Sequence, residues 1–173
     1  MPVSLYDVSV ANYLQTIPAV SACLDKGLAF CTSSDSDPAG MADTRLAADM
    51  LPLRFQIVSV AHHSLGAIEG VKAGVFSPPG KSDPLDYGGL QKLLADTAEG
   101  LRRLSREEGD ALAGRDVTFQ IGDRKVPFTA ENFLLSFSLP NFYFHATTAY
   151  DILRNKGVPL GKRDFLGRLR IKT

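Results

Sequence analysis

The segment from residue 129 to residue 157 constrains the fold most, because it carries both the start and the stop signals of one long helix. Thr129 is a residue type that caps helix N-termini, and Glu131 places negative charge in the first turn. Gly157, with Pro159 just beyond it, is typical of a helix C-terminus. Between these limits apolar residues recur at steps of three and four, which predicts a buried face made of Phe133, Phe137, Pro140, Phe144, Thr148 and Ile152.

A polar stripe runs beside this apolar face and consists of Asn141, His145 and Thr148. A buried polar group without a partner costs about 1–3 kcal/mol, so these side chains either pair within the core or line a pocket. In the first interpretation they form a hydrogen-bond network that fixes helix register. In the second, His145 is a catalytic acid or base oriented by Asn141 or Thr148. In a third, a pocket lined by Phe137, Tyr143, Phe144 and Thr148 holds a small apolar molecule without turnover.

Three more long amphipathic segments precede this one, at residues 5–30, 53–72 and 90–106, and Pro18 is expected to bend the first of them. On the second segment we predict that His62 lies on the buried stripe, whereas His63 is peripheral. Four such segments predict a mainly α protein folded as a four-helix bundle. The predicted buried stripe of the second helix is Leu51, Phe55, Val58, His62, Leu65 and Glu69.

Two stretches interrupt the helical pattern. Residues 75–89 contain three prolines and three glycines, which predicts a long crossover between helices two and three. Apolar residues then alternate with polar ones on both sides of Gly122 and Asp123, which predicts a small β-hairpin just before helix four. Pro127 confines the second arm of this hairpin to a sheet edge.

The totals indicate an ordinary globular protein. A chain of 173 residues with 45% apolar content suits a single domain over residues 1–173, in which residues 158–173 are expected to be an irregular tail. Nineteen basic and nineteen acidic residues cancel, so the charge does not favour nucleic-acid or membrane partners. No apolar run reaches the roughly 20 residues of a membrane span. The absence of a signal-peptide pattern and the spacing of Cys23 and Cys31 predict a cytoplasmic protein with reduced thiols.

The histidines predict a candidate metal site. Imidazoles of His62 and His145, on helices two and four, are placed to face one another and to bind a divalent cation. A catalytic zinc needs three protein ligands, but adjacent His62 and His63 diverge by about 100° around a helix. An oxygen ligand would have to complete the set, and Asp49 is the candidate. Because Asp49 precedes Pro52, it is equally placed to cap the second helix.

Several motifs resemble an uncharacterised domain-of-unknown-function family of the DinB/YfiT-like superfamily. They are SLYD at residues 4–7, RLAADMLPL at 45–53, FQI at 55–57 and, above all, the long stretch at 139–167. The resemblance covers nearly the whole chain. It implies a DinB-like four-helix bundle with a long link between helices two and three, and a homodimer.

The resemblance also implies a function. Characterised members of the superfamily use a divalent metal for transferase, isomerase or hydrolase chemistry on small molecules, so it implies Ni, Zn, Fe or Mn here. Their usual ligands are one histidine on helix two, which His62 matches, and a His-x-x-x-His pair on helix four, of which His145 matches one member. Asn141 and Ala149 stand four residues before and after His145. The alternatives are a bundle that binds a small ligand without metal and a purely structural homodimer.

Overall fold

The computed structural model describes residues 3–80 and 83–172, which form a mainly helical protein with one small sheet. Within these ranges no helix combines the length and the apolar character that crossing a lipid bilayer requires. The α-helices are α1 Leu5–Val8, α2 Val10–Ser33, α3 Pro38–Ala42, α4 Leu53–Ala61, α5 Ala67–Ala73, α6 Tyr87–Arg102, α7 Arg106–Asp110, α8 Ala130–Asn132, α9 Leu139–Asn155 and α10 Lys162–Leu166.

The four long helical stretches pack against one another around a common core. Helix α2 packs against α6 and α9, and α4 also packs against α6 and α9. Pro18 lies inside α2, as predicted. Burial of large apolar side chains is the main stabilising contribution to such a core, at about 25 cal/mol per Å² of apolar surface removed from water. The largest fully buried side chains include Tyr13, Ile17, Leu24, Leu53, Ile57, Leu90, Leu94, Phe133 and Phe142.

Two of these stretches contain a π-helical segment. Residues His62–Gly66 join α4 to α5, and residues Phe133–Ser138 join α8 to α9. In the first, the Ser64 hydroxyl donates to the carbonyl of Val60 at 2.6 Å and so competes with the helical ladder. In the second, Pro140 follows closely and cannot donate to the carbonyl four residues earlier. Each segment therefore has a local cause in the sequence.

The second π-helical segment changes which face of the following helix, α9, is buried. A π turn accommodates an extra residue, and one residue corresponds to a rotation of about 100°. Phe133 is fully buried as predicted, but Pro140 is exposed and 57% of Phe144 is accessible to solvent. The positions that continue the buried face are instead Phe142 and Ala146. The prediction that Phe144 belongs to the core is therefore wrong.

The buried face of the second predicted helix, which the structure forms from α4, the first π-helical segment and α5, also differs from the prediction. Leu51 is 46% exposed and Glu69 is exposed, although both were placed on the inward stripe. The helix is apolar on more than one side, so its spacing alone did not identify the core face. The face that packs inward is formed by Leu53, Ile57, Val60, Ala67, Ile68 and Val71, together with the polar residues Gln56 and Ser64.

The sheet has three strands, β1 Val75–Phe76, β2 Asp116–Ile121 and β3 Arg124–Thr129, in that spatial order. Strands β2 and β3 form the predicted antiparallel hairpin, and Gly122 in its turn has a φ of 56°. Pro127 lies on the edge strand, as expected. Strand β1 pairs in parallel with β2. It falls within the predicted crossover and was not anticipated; Lys81 and Ser82 of that crossover lie outside the described residues.

Two irregular regions also differ from expectation. Helix α3 ends at Ala42, and residues 43–52 form turns, bends and irregular backbone. Asp49 is exposed there, and the residue at the cap position of α4 is Pro52, which makes no side-chain cap. The capping role predicted for Asp49 is therefore wrong. The C-terminal tail is not wholly irregular, because it contains α10, whose Phe165 ring packs 5.7 Å from the ring of Tyr150.

The predicted start of the fourth helix is confirmed. The side chain of Thr129 accepts a hydrogen bond from the backbone N–H of Asn132, and α8 begins at the next residue, Ala130. We expect Thr129→Ala to lower the free energy of unfolding by about 1 kcal/mol, because an orphan amide loses its cap. Urea unfolding would measure this loss. The matched control is Thr147→Ala at an exposed position of α9, which should change stability by less than about 0.5 kcal/mol; equal losses would contradict the capping role.

Candidate functional site

The three histidines of the chain lie close together where the π-helical segment after α4 meets α9. His62 and His63 begin the first π-helical segment, and His145 lies on α9. The ring centres of His63 and His145 are 5.8 Å apart, with the two planes inclined by only 15°. The ring of His62 lies 5.4 Å from that of His63. The structure therefore puts His63, rather than His62, against His145, and the prediction that His63 is peripheral is wrong.

The tautomer of His145 is fixed by Gln56, which sequence reasoning did not identify. Gln56 is buried, and its side-chain Nε2 donates to the carbonyl of Leu51 at 2.8 Å. Its Oε1 must therefore accept, and it lies 2.7 Å from Nδ1 of His145. His145 thus carries its proton on Nδ1 and presents an unprotonated Nε2.

Both imidazoles of the His63–His145 pair are neutral near pH 7. Burial, together with the nearby rings of His62 and His145, lowers the pKa of His63 from 6.5 to about 3. Burial alone lowers the pKa of His145 from 6.5 to about 4. A neutral imidazole keeps a lone pair on one nitrogen, which is the form that binds a metal ion or accepts a proton.

Two imidazole nitrogens in this cluster are buried without a hydrogen-bond partner in the described part of the chain. They are Nδ1 of His63 and Nε2 of His62. Leaving a buried polar atom unpaired costs about 1–3 kcal/mol, so two such atoms on adjacent histidines call for an explanation. Burial is also the main cause that lowers the pKa of His62.

A buried hydroxyl chain holds the turn that carries His63. The hydroxyl of Ser138, at the end of the second π-helical segment, donates to the carbonyl oxygen of His63 at 2.6 Å. The hydroxyl of Tyr13 on α2 then donates to the Ser138 oxygen at 2.8 Å. The two π-helical segments are thus tied directly to each other and to α2. Since π-helical turns occur frequently at functional sites, this connection supports a site at the histidine cluster.

Aromatic rings surround the histidines. The Phe76 ring lies 4.3 Å from His62 and 5.6 Å from His63, and the Phe137 ring lies 5.6 Å from His63. Such surroundings exclude water and explain the low pKa values. Phe137, predicted to line a pocket, is therefore at the site.

The other predicted pocket residues lie around α9 rather than together. Phe144 contacts the edge of the His145 ring at 5.3 Å but is mostly exposed, and Tyr143 is 39% exposed. Thr148 is buried. Asn141 donates from its side chain to the carbonyl of Phe137, one turn earlier on its own helix, at 2.7 Å. Gln56, and not Asn141, therefore orients His145.

The donor set determines which metal centre fits. In residues 3–80 and 83–172, no three His, Cys, Asp or Glu side chains come together as a metal site. Asp49 lies in the exposed turn before α4. A three-ligand catalytic centre therefore does not fit. Two imidazoles remain as candidate donors: two rings bound to one ion through about 2.1 Å bonds have centres roughly 5–6 Å apart, and those of His63 and His145 are 5.8 Å apart.

Comparisons with known proteins agree with this architecture. The sequence model of a family described as "Domain of unknown function (DUF1993)" matches residues 5–166. The crystal structure of a DinB family member from Shewanella denitrificans superposes with a TM-score of 0.81 at 26% sequence identity, over 98% of this chain and 95% of that one. Among curated proteins, none matches the chain.

Proposed function

The chain belongs to the DUF1993 family, and from this premise we propose that it acts on a small molecule through a divalent metal ion held by His63 and His145. The observation that carries the proposal is the proximity of two neutral imidazoles, whose ring centres are 5.8 Å apart and of which His63 keeps a buried Nδ1 without a hydrogen-bond partner in the described residues. The likeness to a DinB family member supports a DinB-like four-helix bundle as the framework of the site.

In this proposal the protein supplies two nitrogen donors and the small molecule or solvent supplies the rest. A metal ion so bound would act as a Lewis acid on an oxygen or sulfur atom of the substrate. Gln56 keeps the Nε2 lone pair of His145 available by accepting from Nδ1–H. Phe76 and Phe137 exclude water from His63, which strengthens electrostatic interactions there.

The ligand type narrows the choice of metal. Imidazole nitrogen suits Zn, Ni, Fe and Cu, whereas Mn and Mg prefer carboxylate oxygen. No carboxylate joins the histidines within the described residues. Among the four ions that the family resemblance implies, we therefore favour Zn, Ni and Fe over Mn.

A second function is favoured by the incomplete donor set itself. Because a third protein ligand is missing from the described residues, the same cluster also suits a non-catalytic bundle that has lost its metal and serves as a ligand-binding or structural protein. In that case the three histidines would stabilise the contact of α9 with α4 and the π-helical segment after it, and would bind no ion.

The experiment that separates these functions is metal analysis of untagged protein purified without chelator, followed by calorimetric titration of the apo form with Zn²⁺ and Ni²⁺. We expect about one ion per chain, with binding weakened at least tenfold in His63→Gln and in His145→Gln. Gln56→Met, which frees the His145 ring, should weaken binding by about tenfold.

The matched control is His62→Gln, the adjacent histidine that packs on Phe76. It should retain binding within about twofold if His63 and His145 are the ligands. Loss of binding in His62→Gln but not in His63→Gln would restore the assignment made from helical spacing. No uptake of either ion by wild-type protein with an unchanged circular dichroism spectrum would overturn the metal proposal in favour of the second function.

A further inference from the structure

A groove of about 700 Å³ lies between α2 and the C-terminal segment, and none of the three histidines lines it. We propose that this groove binds a small organic anion, one with a carboxylate or phosphate head and an apolar body. Its volume falls within the usual range of small-molecule sites, about 300–1,000 Å³. The proposal concerns a second site and does not depend on the function proposed for the histidines.

The rim of the groove is rich in unneutralised positive charge. Arg102 from the end of α6 and Arg163, Arg168 and Arg170 from the C-terminal segment all line it. None of the four forms an ion pair with a carboxylate in the part of the chain that the structure describes. The carboxylate of Asp164, which also lines the groove, is bound to Lys26 at 2.7 Å.

This charge is local, because the chain as a whole carries nineteen basic and nineteen acidic residues. Arginine presents a planar set of N–H donors that matches a carboxylate or phosphate in two parallel hydrogen bonds. Arg170 already donates from Nη2 to Oδ1 of Asn12 at 2.6 Å, but it keeps its charge, and four positive charges around one concave site favour an anion there by charge complementarity. A nucleic acid would instead require a basic surface that extends beyond a single groove.

The floor of the groove is apolar and belongs to α2. Leu14, Pro18, Ala19 and Ala22 line it. A ligand whose apolar body covers this surface removes it from water, which is favourable. An anion with a hydrocarbon or aromatic body therefore fits better than inorganic phosphate alone.

The wall opposite α2 is held in place by a specific backbone conformation. Gly167 has a φ of 61°, and a Cβ atom there would lie only 3.0 Å from Cβ of Ala19 and 3.1 Å from the carbonyl oxygen of Gln15. The side chain of Gln15 also donates to the carbonyl of Leu166 at 3.2 Å. Glycine at this position thus lets the C-terminal segment approach α2 closely enough to form the groove.

The test is calorimetric titration of the full chain with three probes of equal chain length: octanoate, octyl phosphate and octanol. We expect the two anions to bind and octanol to bind at least tenfold more weakly, because only the anions engage the arginines. A preference between octanoate and octyl phosphate identifies the head group. Equal binding of octanol and octanoate would overturn the proposal, since the site would then recognise the apolar body alone.

Two variants locate the binding. Arg163→Gln/Arg168→Gln should weaken octanoate binding at least tenfold, whereas Arg124→Gln/Lys125→Gln, which removes the same charge from the exposed edge strand β3, should change it less than about twofold. Equal weakening in both variants would show a non-specific charge effect and overturn the proposal. Failure of both octanoate and octyl phosphate to bind would also overturn it. If Arg163→Gln/Arg168→Gln then changes the sedimentation coefficient, the groove holds a second copy of the chain. Metal uptake should be unchanged in both variants, so the two sites can fail separately.

Discussion

Acidification from pH 6.5 to pH 4.5 is expected to lower the free energy of unfolding by roughly 2–4 kcal/mol, mainly through the His63–His145 pair. In the unfolded chain a histidine has a pKa near 6.5, whereas in the folded protein the pKa is about 3 at His63 and about 4 at His145. Between these values the unfolded state binds more protons, so stability falls as the pH falls. The magnitude is reduced from the full pKa difference because both rings keep partial contact with solvent.

Urea unfolding at pH 7.5, 6.5, 5.5 and 4.5, with a chelator present, measures this effect. His63→Phe keeps an aromatic ring beside Phe76 and Phe137 and cannot titrate, so it should remove about half of the pH dependence. The carboxylates of Asp7, Asp164 and Glu131 also have lowered pKa values in the folded protein, that of Asp7 being about 2 because of its hydrogen bond to Arg106. They therefore also destabilise the fold on acidification, but only near their unfolded values at the acid end of the range, and they do so equally in the wild type and in His63→Phe. If the free energy of unfolding depended on pH equally in His63→Phe and in the wild type, the imidazole of His63 would not be buried in the neutral form.

Much of the fold was predictable because the sequence contains residue types that start helices, form turns and restrict strands to sheet edges. The cap at Thr129, the turn at Gly122 and the edge position of Pro127 each follow from a local preference that the fold leaves intact. The mainly helical character followed from the long amphipathic segments. The parallel pairing of Val75–Phe76 did not, because a two-residue strand has no periodicity and depends on a partner about forty residues away.

The site was less predictable because it is built on π-helical turns. A helical projection assumes about 100° per residue throughout, and the segment Phe133–Ser138 departs from that value just before α9. Phe144 was therefore placed inward and is exposed, while Phe142 is buried. Pro140 was a visible signal for the departure, since a proline deprives the preceding turn of a donor.

The identity of the paired histidine depended on tertiary packing. His62 and His63 differ by one residue, so the choice between them rests on how α4 sits against α9, which no single-helix pattern contains. His145 was identifiable because it lies, with Asn141 and Thr148, on the polar stripe of the last long helix. Gln56 was missed because a glutamine in an apolar helix has no distinguishing spacing, and only its two hydrogen bonds reveal its role. The predicted homodimer and cytoplasmic location stay predictions.

Ser138→Ala is expected to lower the free energy of unfolding by about 2–4 kcal/mol, although it removes a single oxygen atom. The Ser138 hydroxyl accepts from Tyr13 and donates to the carbonyl of His63. Without it, the fully buried hydroxyl of Tyr13 has no partner, and the carbonyl in the first π-helical segment loses its donor. An exposed neighbour provides the control: Ser136→Ala, whose hydroxyl donates to the carbonyl of Asn132 one turn earlier, should cost less than about 0.5 kcal/mol.

The double variant Tyr13→Phe/Ser138→Ala should be more stable than Ser138→Ala alone, by about 1–2 kcal/mol. Removing both members of a buried pair eliminates the unpaired hydroxyl, whereas removing one member leaves it. Urea unfolding at pH 7.5 of the wild type, both single variants and the double variant completes the cycle. Additive losses would show that the hydroxyls act independently. The two hydroxyls are coupled if the double variant loses less stability than the sum of the two single variants. Such coupling, together with weaker Zn²⁺ or Ni²⁺ uptake in Ser138→Ala but not in Ser136→Ala, would show that the hydroxyls of Tyr13 and Ser138 position His63 for the metal site.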